Sequence, residues 1–432
     1  MKTLKQQLTR IVSNAFTACG YDAALGVVTV SDREDLCQFQ CNGALSAARQ
    51  YKKNPAIIAN AVVDQLKDEP CFSMVTFAPP GFINLNVDDA YLAKLAREMY
   101  ADARLALPEM ERRTIVVDYG GPNVAKPLHI GHLRTAIIGE SLARIARFLG
   151  HNVIGDVHLG DWGLQMGLIL AGLESKHPEL CYFDPDYTGE YPETAPITLE
   201  DLNELYPEAS RRSKEDEAFY KTAQKATYDL QNGRPGYVAL WKQFLKLSVD
   251  DLKKSYEKLH VKFDTWLGES DAAPYVPELL KTLEDQKLSY LSDGALIVDV
   301  ALPDDDEPIP PIIISKSDGS QLYGTTDLAT ILQRVRDFDP DEMWYVVDNR
   351  QAMHFKQVFR AAKRAGLTRE NVALLHVGFG TMNGKDGKPY KTRDGGVMRL
   401  SDLIGTVTEA ARAKMDESET AAVLTPEEKA AC

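Results

Sequence analysis

The stretch TIVVDYGGPNVAKPLHIGHLRTAIIG, residues 114–139, decides the fold of this chain. It begins with a short apolar run rich in β-branched side chains, residues 114–118, which predicts a buried strand. A loop and then a helical pattern over residues 130–149 follow, and residues 152–157 predict a second strand. A strand, a crossover helix and a second strand predict a parallel, doubly wound α/β sheet.

The second half of the same sheet is predicted later in the chain. Residues 294–300, 312–314, 343–347 and 374–377 predict strands, and residues 328–335 and 355–365 predict helices. This alternation indicates that a Rossmann-type sheet closes here. Between the two halves, the chain is rich in Pro, Tyr, Asp and Glu over residues 180–207 and helical in pattern up to about residue 259, which predicts an insertion.

At 432 residues the chain is too long for one ordinary domain of roughly 150 residues. Residues 1–106 predict a small N-terminal α+β domain, with helices over 4–19 and 54–67 and a strand over 82–86. The other boundaries that we predict are 107–180 and 291–404 for the two halves of the Rossmann-type domain, 181–290 for the insertion, and 405–432 for the start of a helical domain.

Composition narrows the class of protein. Residues 1–10 lack the apolar region of a secretion signal, and no apolar run reaches the ~20 residues of a membrane span, so we expect a cytoplasmic protein without a membrane partner. The net charge of −14 argues against indiscriminate binding to DNA but permits specific RNA contacts. The six cysteines are scattered without a C-x-x-C pair, so no tightly bound metal is predicted.

The loop over residues 119–132, here called the signature loop, carries residues suited to phosphate chemistry. Open α/β sheets bind ligands at the carboxyl ends of their strands, and helix N-termini favour anions. His129 and His132 face the same side one helical turn apart, Gly131 leaves room for a base or ribose, and Lys126 adds positive charge. Two such histidines can also be a surface pair, but their place after a buried strand favours a nucleotide site.

Several motifs together resemble one enzyme family. LHIGH at residues 128–132 resembles the HIGH signature of class I aminoacyl-tRNA synthetases, and PNVAK at 122–126 resembles the arginine enzymes of that class. Further blocks resemble arginyl-tRNA synthetases in the expected order: GDWG at 160–163 with Gln165 and Gly167, KSDG at 316–319, LY at 322–323, TDLA at 326–329, and DNRQ at 348–351 with His354. Taken singly, these blocks also suit a plain turn or an exposed helical pair. One departure is YGG at 119–121, where the family usually has a serine or alanine.

The resemblance implies a role for each matching residue. In that family, residues matching Tyr323 and Asp327 hold the guanidinium of arginine, and those matching Asp118, Asn123 and Gln351 hold its α-amino and carboxylate end. The implied ATP site comprises Pro122, Ala125, His129, Gly131, His132, His354 and Met382, with Lys126, His129 and His132 as catalytic residues. The chemistry agrees, since a carboxylate and an aromatic face match the planar guanidinium fork.

A second basic loop departs from the K-M-S-K-S form common in the class. Residues 382–393, MNGKDGKPYKTR, are similar to the G-K-P-F-K-T-R form of many bacterial arginine enzymes. We therefore expect a glycine-rich loop over the triphosphate, with Lys388 and Lys391 as catalytic lysines. A solvated hairpin of lysine and glycine is the alternative, and the sequence leaves open which lysine reaches ATP.

Both ends of the chain suggest contacts with tRNA. PGFINL at residues 80–85 resembles the extra domain by which arginine enzymes contact the tRNA elbow, where Phe82 would stack on a base and Asn84 would hydrogen-bond it. A core phenylalanine and a turn asparagine are the alternative. TPEEK at 425–429 has the features of a helix start, so we expect the chain to continue into a helical anticodon-binding domain.

These features predict an arginine–tRNA ligase of the bacterial type, which we expect to be a monomer. It would use ATP with Mg²⁺ to activate L-arginine and transfer it to the 3′ end of tRNA(Arg), and the resemblance implies that activation requires bound tRNA. Two alternatives stay open: another H-x-G-H nucleotidyltransferase acting on a small molecule, and a synthetase-like paralogue without catalysis. ATP–pyrophosphate exchange separates these possibilities.

Overall fold

The computed structural model describes residues 3–126, 128–316, 322–381, 383, 399–418 and 424–431. The chain divides into two compact units, one comprising Met1–Glu111 with Phe148–Gly150 and the other Arg112–Arg147 with His151–Cys432. Every helix within the described ranges is too short or too polar to cross a membrane.

The first unit is a small α+β domain, as the sequence predicts. Its elements are α1 (Leu4–Ala18), β1 (Val28–Val30), β2 (Phe39–Cys41), α2 (Gly43–Tyr51), α3 (Pro55–Leu66), β3 (Phe72–Ala78), β4 (Phe82–Val87) and α4 (Asp89–Ala101). The strands form one antiparallel sheet in the order β1-β2-β4-β3. Ile83, Leu85 and Val87 alternate along β4 and lie in the core, which is the period of two expected of a strand buried on one face.

The second unit contains the predicted strand, helix and strand, then the insertion and the rest of the sheet. Its first elements are β5 (Thr114–Asp118), α5 (Ile130–Phe148), β6 (Asn152–Asp156), α6 (Leu164–Lys176), α7 (Leu199–Glu215), α8 (Glu217–Gln231), α9 (Pro235–Lys258), α10 (Glu269–Ala272) and α11 (Val276–Asp285). They are followed by β7 (Ser289–Ser292), β8 (Ala295–Val298), β9 (Ile312–Ser315), α12 (Tyr323–Phe338), β10 (Glu342–Tyr345), α13 (Ala352–Arg364), β11 (Ala373–His376), α14 (Leu400–Asp416) and α15 (Pro426–Ala431).

The parallel sheet has the strand order β11-β10-β5-β6, and each neighbouring pair in it is parallel. Ile115 and Val117 of β5 belong to one hydrophobic core, whereas Val116 belongs to the core on the opposite face. Side chains from helices cover both faces, which explains why β5 is apolar at successive positions rather than at alternate ones. The predicted doubly wound sheet is confirmed.

One part of the strand prediction is wrong. The segments predicted at residues 294–300 and 312–314 do not extend the parallel sheet but form, with β7, a separate antiparallel sheet in the order β7-β8-β9. Asp293 and Gly294 connect β7 to β8 with φ angles of 49° and 80°. A two-residue Asp-Gly connection of this kind joins antiparallel strands, because a parallel pair needs a much longer crossover.

The insertion becomes helical earlier than the sequence predicts. Thr198 and Asp201 form a reciprocal cap at the start of α7: the Thr198 hydroxyl accepts the N–H of Asp201 at 3.2 Å, and the N–H of Thr198 donates to the Asp201 carboxylate at 2.8 Å. The helix then continues through Pro207. Because proline has no N–H, the backbone carbonyl of Asn203 loses its usual helical donor.

Candidate active site

The carboxyl ends of β5, β6 and β10 bring three side chains into one row. The strand register aligns Asp118 with Asp156 and with Tyr345. Arg334 of α12 reaches this row: its Nη2 donates to Asp118 Oδ2 and to Asp156 Oδ2, each at 2.7 Å, and its guanidinium carbon lies 5.3 Å from the centre of the Tyr345 ring. Arg334 and Asp156 have no exposed surface. The base of the site is therefore a buried ion cluster.

Arg334 keeps its charge in this position. Burial alone would lower the pKa of its guanidinium, but Asp118, Tyr345 and Asp156 outweigh burial and hold that pKa well above its ordinary value. The Nε and Nη1 atoms of Arg334 have no hydrogen-bond partner among the described residues. Asp118, which the family resemblance assigns to the α-amino group of arginine, is thus fixed by an ion pair that the sequence does not reveal.

The signature loop is fastened to the glycine that begins the GDWG block. The N–H of Gly160 donates to the carbonyl of Pro122 at 3.0 Å, and the N–H of Val124 donates to the carbonyl of Gly160 at 3.0 Å. A Cβ at Gly160 would lie 2.2 Å from the side-chain oxygen of Asn123. The Asn123 side chain and the Pro122 carbonyl therefore lie against this turn.

Ala125 and Lys126 lie where the signature loop meets the insertion. Ala125 is buried, adopts a left-handed φ of 59°, and donates its N–H to the Ser248 hydroxyl at 2.9 Å. A left-handed conformation costs a non-glycine residue about 1–2 kcal/mol, so the surrounding contacts must hold it. The Lys126 ammonium lies 5.8 Å from the ring centre of Tyr206 in α7. The insertion thus helps to position the loop.

His129 and His132 lie side by side at the start of α5. Their rings stack with centroids 3.9 Å apart, His132 Nδ1 accepts the N–H of His129 at 3.1 Å, and His129 Nδ1 accepts the N–H of Gly131 at 3.1 Å. Burial and the charge of Lys126 lower the pKa of His129. Burial, His129 and Lys126 together lower the pKa of His132 to about 3. Both rings are therefore neutral at pH 7, and since each Nδ1 accepts, each Nε2–H remains as a donor.

Tyr323 and Asp327 lie one turn apart at the start of α12. The Tyr323 side chain is 74% exposed, whereas Asp327 is half-buried and its Oδ2 lies 2.5 Å from Nε2 of His354. The structure therefore places His354, assigned to ATP by the resemblance, at the carboxylate assigned to arginine. An exposed aromatic ring beside a partly buried carboxylate matches the surface of a guanidinium.

Glu269, at the start of α10, is a carboxyl group of this pocket that the sequence analysis missed. Burial raises its pKa to about 7, with His158 opposing the shift and Asp161 and Asp327 adding to it. A carboxyl group whose pKa is shifted this far by burial and nearby charges is typical of a functional site. No motif marks Glu269, because GESD at 268–271 has only the pattern of a helix start.

Of the other residues that the sequence predicts for the site, the structure describes Gln351 and Gly131. Gln351 is exposed and ends a 3₁₀ turn after β10, the strand paired with β5. Gly131 is exposed beside the two histidines. Met382, Lys388 and Lys391 lie outside the described residues, so their roles stay predictions.

The proposed tRNA contacts lie in the first unit. Asn84 is 6% exposed, and its side-chain oxygen accepts from Gln40 Nε2 at 2.9 Å. Phe82 is half-buried at the start of β4. Contacts of Phe82 and Asn84 with tRNA stay predictions.

Two family models match the chain. Residues 95–432 match the model described as tRNA synthetases class I (R), catalytic domain, and residues 2–87 match the arginyl tRNA synthetase N terminal domain. The parallel sheet and its signature loop are thus the catalytic domain of a class I aminoacyl-tRNA synthetase.

Similarity to curated proteins identifies the family within this class. The chain is 56% identical over 420 residues to an arginine–tRNA ligase from Alkaliphilus oremlandii, covering 97% of this chain and 72% of that protein. It is 52% identical over 421 residues to an arginine–tRNA ligase from Agathobacter rectalis, covering 97% and 70%. The chain belongs to the arginyl-tRNA synthetase family, which confirms the resemblance drawn from its motifs.

Solved structures agree on the fold. The arginyl-tRNA synthetase from Plasmodium falciparum matches with a TM-score of 0.74 at 24% identity, over 96% of this chain and 69% of that one. The arginyl-tRNA synthetase from Thermus thermophilus matches with a TM-score of 0.70 at 18% identity, over 99% and 73%.

The buried cluster predicts a large loss of stability on Arg334→Gln. The substitution leaves Asp118 and Asp156 buried without their cation, which costs about 3–5 kcal/mol of unfolding free energy. Arg336→Gln is the matched control on the same helix, because Arg336 forms an exposed pair with Glu278 worth about 1 kcal/mol or less. Urea unfolding of the two variants measures the difference. Similar losses in both would contradict the role given to the cluster.

Proposed function

We propose that this chain acts as an arginine–tRNA ligase, which activates L-arginine with ATP and transfers it to tRNA(Arg). One observation carries the proposal. A neutral pair of histidines follows the carboxyl end of β5 in the parallel sheet, and a pocket containing two carboxyl groups is formed by α10 and α12. His129 and His132 offer donors to phosphate oxygens, while Asp327 and Glu269 offer negative charge to a guanidinium. Membership of the arginyl-tRNA synthetase family supports the same activity.

In the proposed reaction, the histidine pair binds ATP and the carboxyl groups of Asp327 and Glu269 bind arginine. The arginine carboxylate attacks the α-phosphorus of ATP in line, pyrophosphate leaves, and arginyl-adenylate forms without a covalent enzyme intermediate. Lys126, His129 and His132 stabilise the charge that develops on the phosphoryl oxygens. Mg²⁺ enters as part of the ATP substrate complex. A hydroxyl of the terminal adenosine of tRNA then attacks the activated carbonyl, and AMP leaves.

The function is tested by arginine-dependent ATP–pyrophosphate exchange, assayed with tRNA present. His129→Ala and His132→Ala should each lower the exchange rate about 10²- to 10³-fold while leaving the dissociation constant for arginine nearly unchanged, because their donors act mainly in the transition state. His177→Ala, which alters an exposed histidine at the end of α6, is the control. Equal losses in arginine binding and in rate would remove the histidines from this role, and exchange independent of arginine would favour a small-molecule nucleotidyltransferase.

The guanidinium site accounts for selection against neutral analogues. Asp327 and Glu269 together provide two carboxyl groups near Tyr323. Citrulline has the shape of arginine but no positive charge, so it leaves a partly buried carboxylate unpaired, at a cost of a few kcal/mol.

Asp327→Asn should therefore weaken arginine binding by about 100-fold and reduce its advantage over citrulline, because half of the ion pair is removed. Asp337→Asn is the control on the same helix, since Asp337 is exposed ten residues beyond Asp327 and its carboxylate accepts a hydrogen bond from the Tyr275 hydroxyl at 3.3 Å. Calorimetry with both ligands measures the discrimination. If citrulline and arginine keep their ratio in Asp327→Asn, the guanidinium binds elsewhere.

Glu269 makes arginine binding dependent on pH. In the free enzyme its pKa is raised to about 7, so part of the Glu269 population is protonated at neutral pH. A bound guanidinium favours the carboxylate and lowers that pKa again. Binding then releases a proton, and arginine affinity rises with pH until Glu269 is already ionised. His158 and His354 face the same pocket, so they have to be separated from Glu269 by mutation.

Between pH 6 and pH 8 the affinity for arginine should rise about tenfold, as expected for one group with a pKa near 7. Glu269→Gln should remove most of this rise and the proton release measured by calorimetry in buffers of different ionisation enthalpy. Glu278→Gln, which alters an exposed carboxylate in α11, should keep both. A pH profile that is the same in Glu269→Gln as in the parent enzyme would assign it to a histidine instead.

The remaining assignments complete the proposal. Residues 1–106 contact the tRNA elbow, with Phe82 and Asn84 near the RNA, and residues 107–180 and 291–404 form the two halves of the catalytic domain around the insertion at 181–290. Residues 405–432, which contain α14 and α15, begin a helical anticodon-binding domain. Lys388 and Lys391 contact the triphosphate. The enzyme works as a cytoplasmic monomer without membrane or DNA partners.

A further inference from the structure

A cavity of about 710 Å³ is formed by the segment that follows β8, the second half of α13 and the start of β11. We call it the α13 cavity. Its volume falls within the range of about 300–1,000 Å³ that is typical of small-molecule sites. The residues that line it are apolar or cationic, and none of them is a carboxylate.

The α13 cavity is separate from the proposed active site. His354, whose ring contacts Asp327, lies in the first turn of α13, whereas the lining residues Phe359 to Arg364 occupy the second half of that helix. At 1.5 Å per residue the two positions are about 8 to 15 Å apart along the helix axis. The residues assigned to ATP and to arginine do not line the cavity. A molecule bound here would therefore be additional to the substrates.

Two of the cations lack a carboxylate partner. Nζ of Lys363 donates to the backbone carbonyls of Glu370, at 3.0 Å, and of Val372. Nη1 of Arg364 donates to the backbone carbonyl of Asp299 at 2.7 Å. Neither cation forms an ion pair within 4.0 Å with a carboxylate of the described residues. Carbonyl groups orient these side chains without cancelling their charge, and uncancelled positive charge on a concave surface attracts anions.

The third cation of the lining serves the fold instead. Nη1 and Nη2 of Arg360 donate to the two carboxylate oxygens of Asp305 at 2.7 and 2.6 Å. Nη1 of Arg360 also donates to the backbone carbonyl of Val300 at 3.1 Å. This paired geometry fastens the segment after β8 to α13 and neutralises the guanidinium of Arg360. The charge available to a ligand therefore belongs to Lys363 and Arg364.

The rest of the lining is apolar. Leu302 is 50% exposed, and the side chains of Phe359 and Leu374 are half-buried. Basic residues in the last turn of a helix are favoured by the helix dipole, which accounts for Lys363 and Arg364 without any ligand. The dipole does not account for an exposed leucine beside them. Apolar surface gains free energy when a ligand covers it, and an aromatic side chain offers a flat face for packing.

We propose that the α13 cavity binds a small amphiphilic anion, in which a flat apolar body carries one carboxylate, sulfonate or phosphate group. The body packs against Leu302, Phe359 and Leu374. The anionic group accepts from Lys363 and Arg364, because a guanidinium has more N–H groups than the carbonyl of one residue can accept. This inference goes beyond the proposed function, since the ligand is neither ATP, arginine nor tRNA.

The test uses the fluorescent anion anilinonaphthalene sulfonate, titrated in the absence and in the presence of saturating ATP and arginine. Arg364→Gln should weaken its binding about fivefold, because a charge-assisted contact with the sulfonate is lost. Arg364→Lys, which keeps the charge, should bind with an affinity between those of the parent and of Arg364→Gln. Lys356→Gln is the matched control, because Lys356 is exposed on the same helix, lies 3.7 Å from Asp305 and does not line the cavity.

A neutral probe separates the contribution of charge from that of apolar contact. Phenylnaphthylamine has the same ring system without the sulfonate. It should bind the parent protein more weakly than the anion does, and it should bind Arg364→Gln as it binds the parent. Leu302→Gln should weaken the binding of both probes, because apolar surface is removed while both cations remain.

Displacement of the anion by ATP or arginine would place the probe in the active site and overturn the inference. Equal affinity in the parent and Arg364→Gln, equal losses in Arg364→Gln and Lys356→Gln, or no binding by the parent would overturn it as well. Urea unfolding of each variant identifies any loss that comes from a damaged fold. If Arg364→Gln does not fold, Leu302→Gln decides the question, and unchanged binding of the anion in that variant counts against the cavity.

Discussion

The guanidinium of Arg334, without exposed surface, lies between two carboxylates that the strand register places next to each other. Asp118 and Asp156 end neighbouring parallel strands, so without a cation they would bring like charges together in a medium of low dielectric. Because the cation comes from α12, the same ion cluster fixes that helix against the sheet. Asp327, two turns earlier on α12, receives its position from the same contact.

The sheet around this cluster could be predicted from sequence where its signals are local. β5 and β6 are found at the predicted positions to within one residue, because each is a compact apolar run bounded by turn residues. The same reasoning placed the segments that become β8 and β9 in the wrong sheet. An apolar run shows that a strand is buried, but only its connections show which neighbour it pairs with, and Asp293-Gly294 carried that information.

Site residues that lie within a contiguous motif could be predicted from sequence. Residues whose role depends on partners far away in the sequence could not. His129 and His132 belong to one contiguous signature, and the structure stacks them together. Arg334 is 216 residues from Asp118 and 178 from Asp156, so no local pattern connects them. Glu269 becomes unusual only through burial near Asp161 and Asp327, which are likewise distant in sequence. Motifs record the chemistry that a family shares, whereas burial and charge coupling arise only in three dimensions.

The contact between His354 and Asp327 occupies part of the pocket that we propose for arginine. With Nε2 at 2.5 Å from the carboxylate, the imidazole already fills one direction in which a substrate donor would approach. A guanidinium can present two parallel N–H groups to a carboxylate and stack on Tyr323, whereas an ammonium ion offers a single point of charge. An ammonium ion supplies positive charge without this paired geometry, and it would have to displace His354 from its contact with Asp327. We therefore expect the proposed pocket to reject lysine and polyamines before any step of catalysis begins.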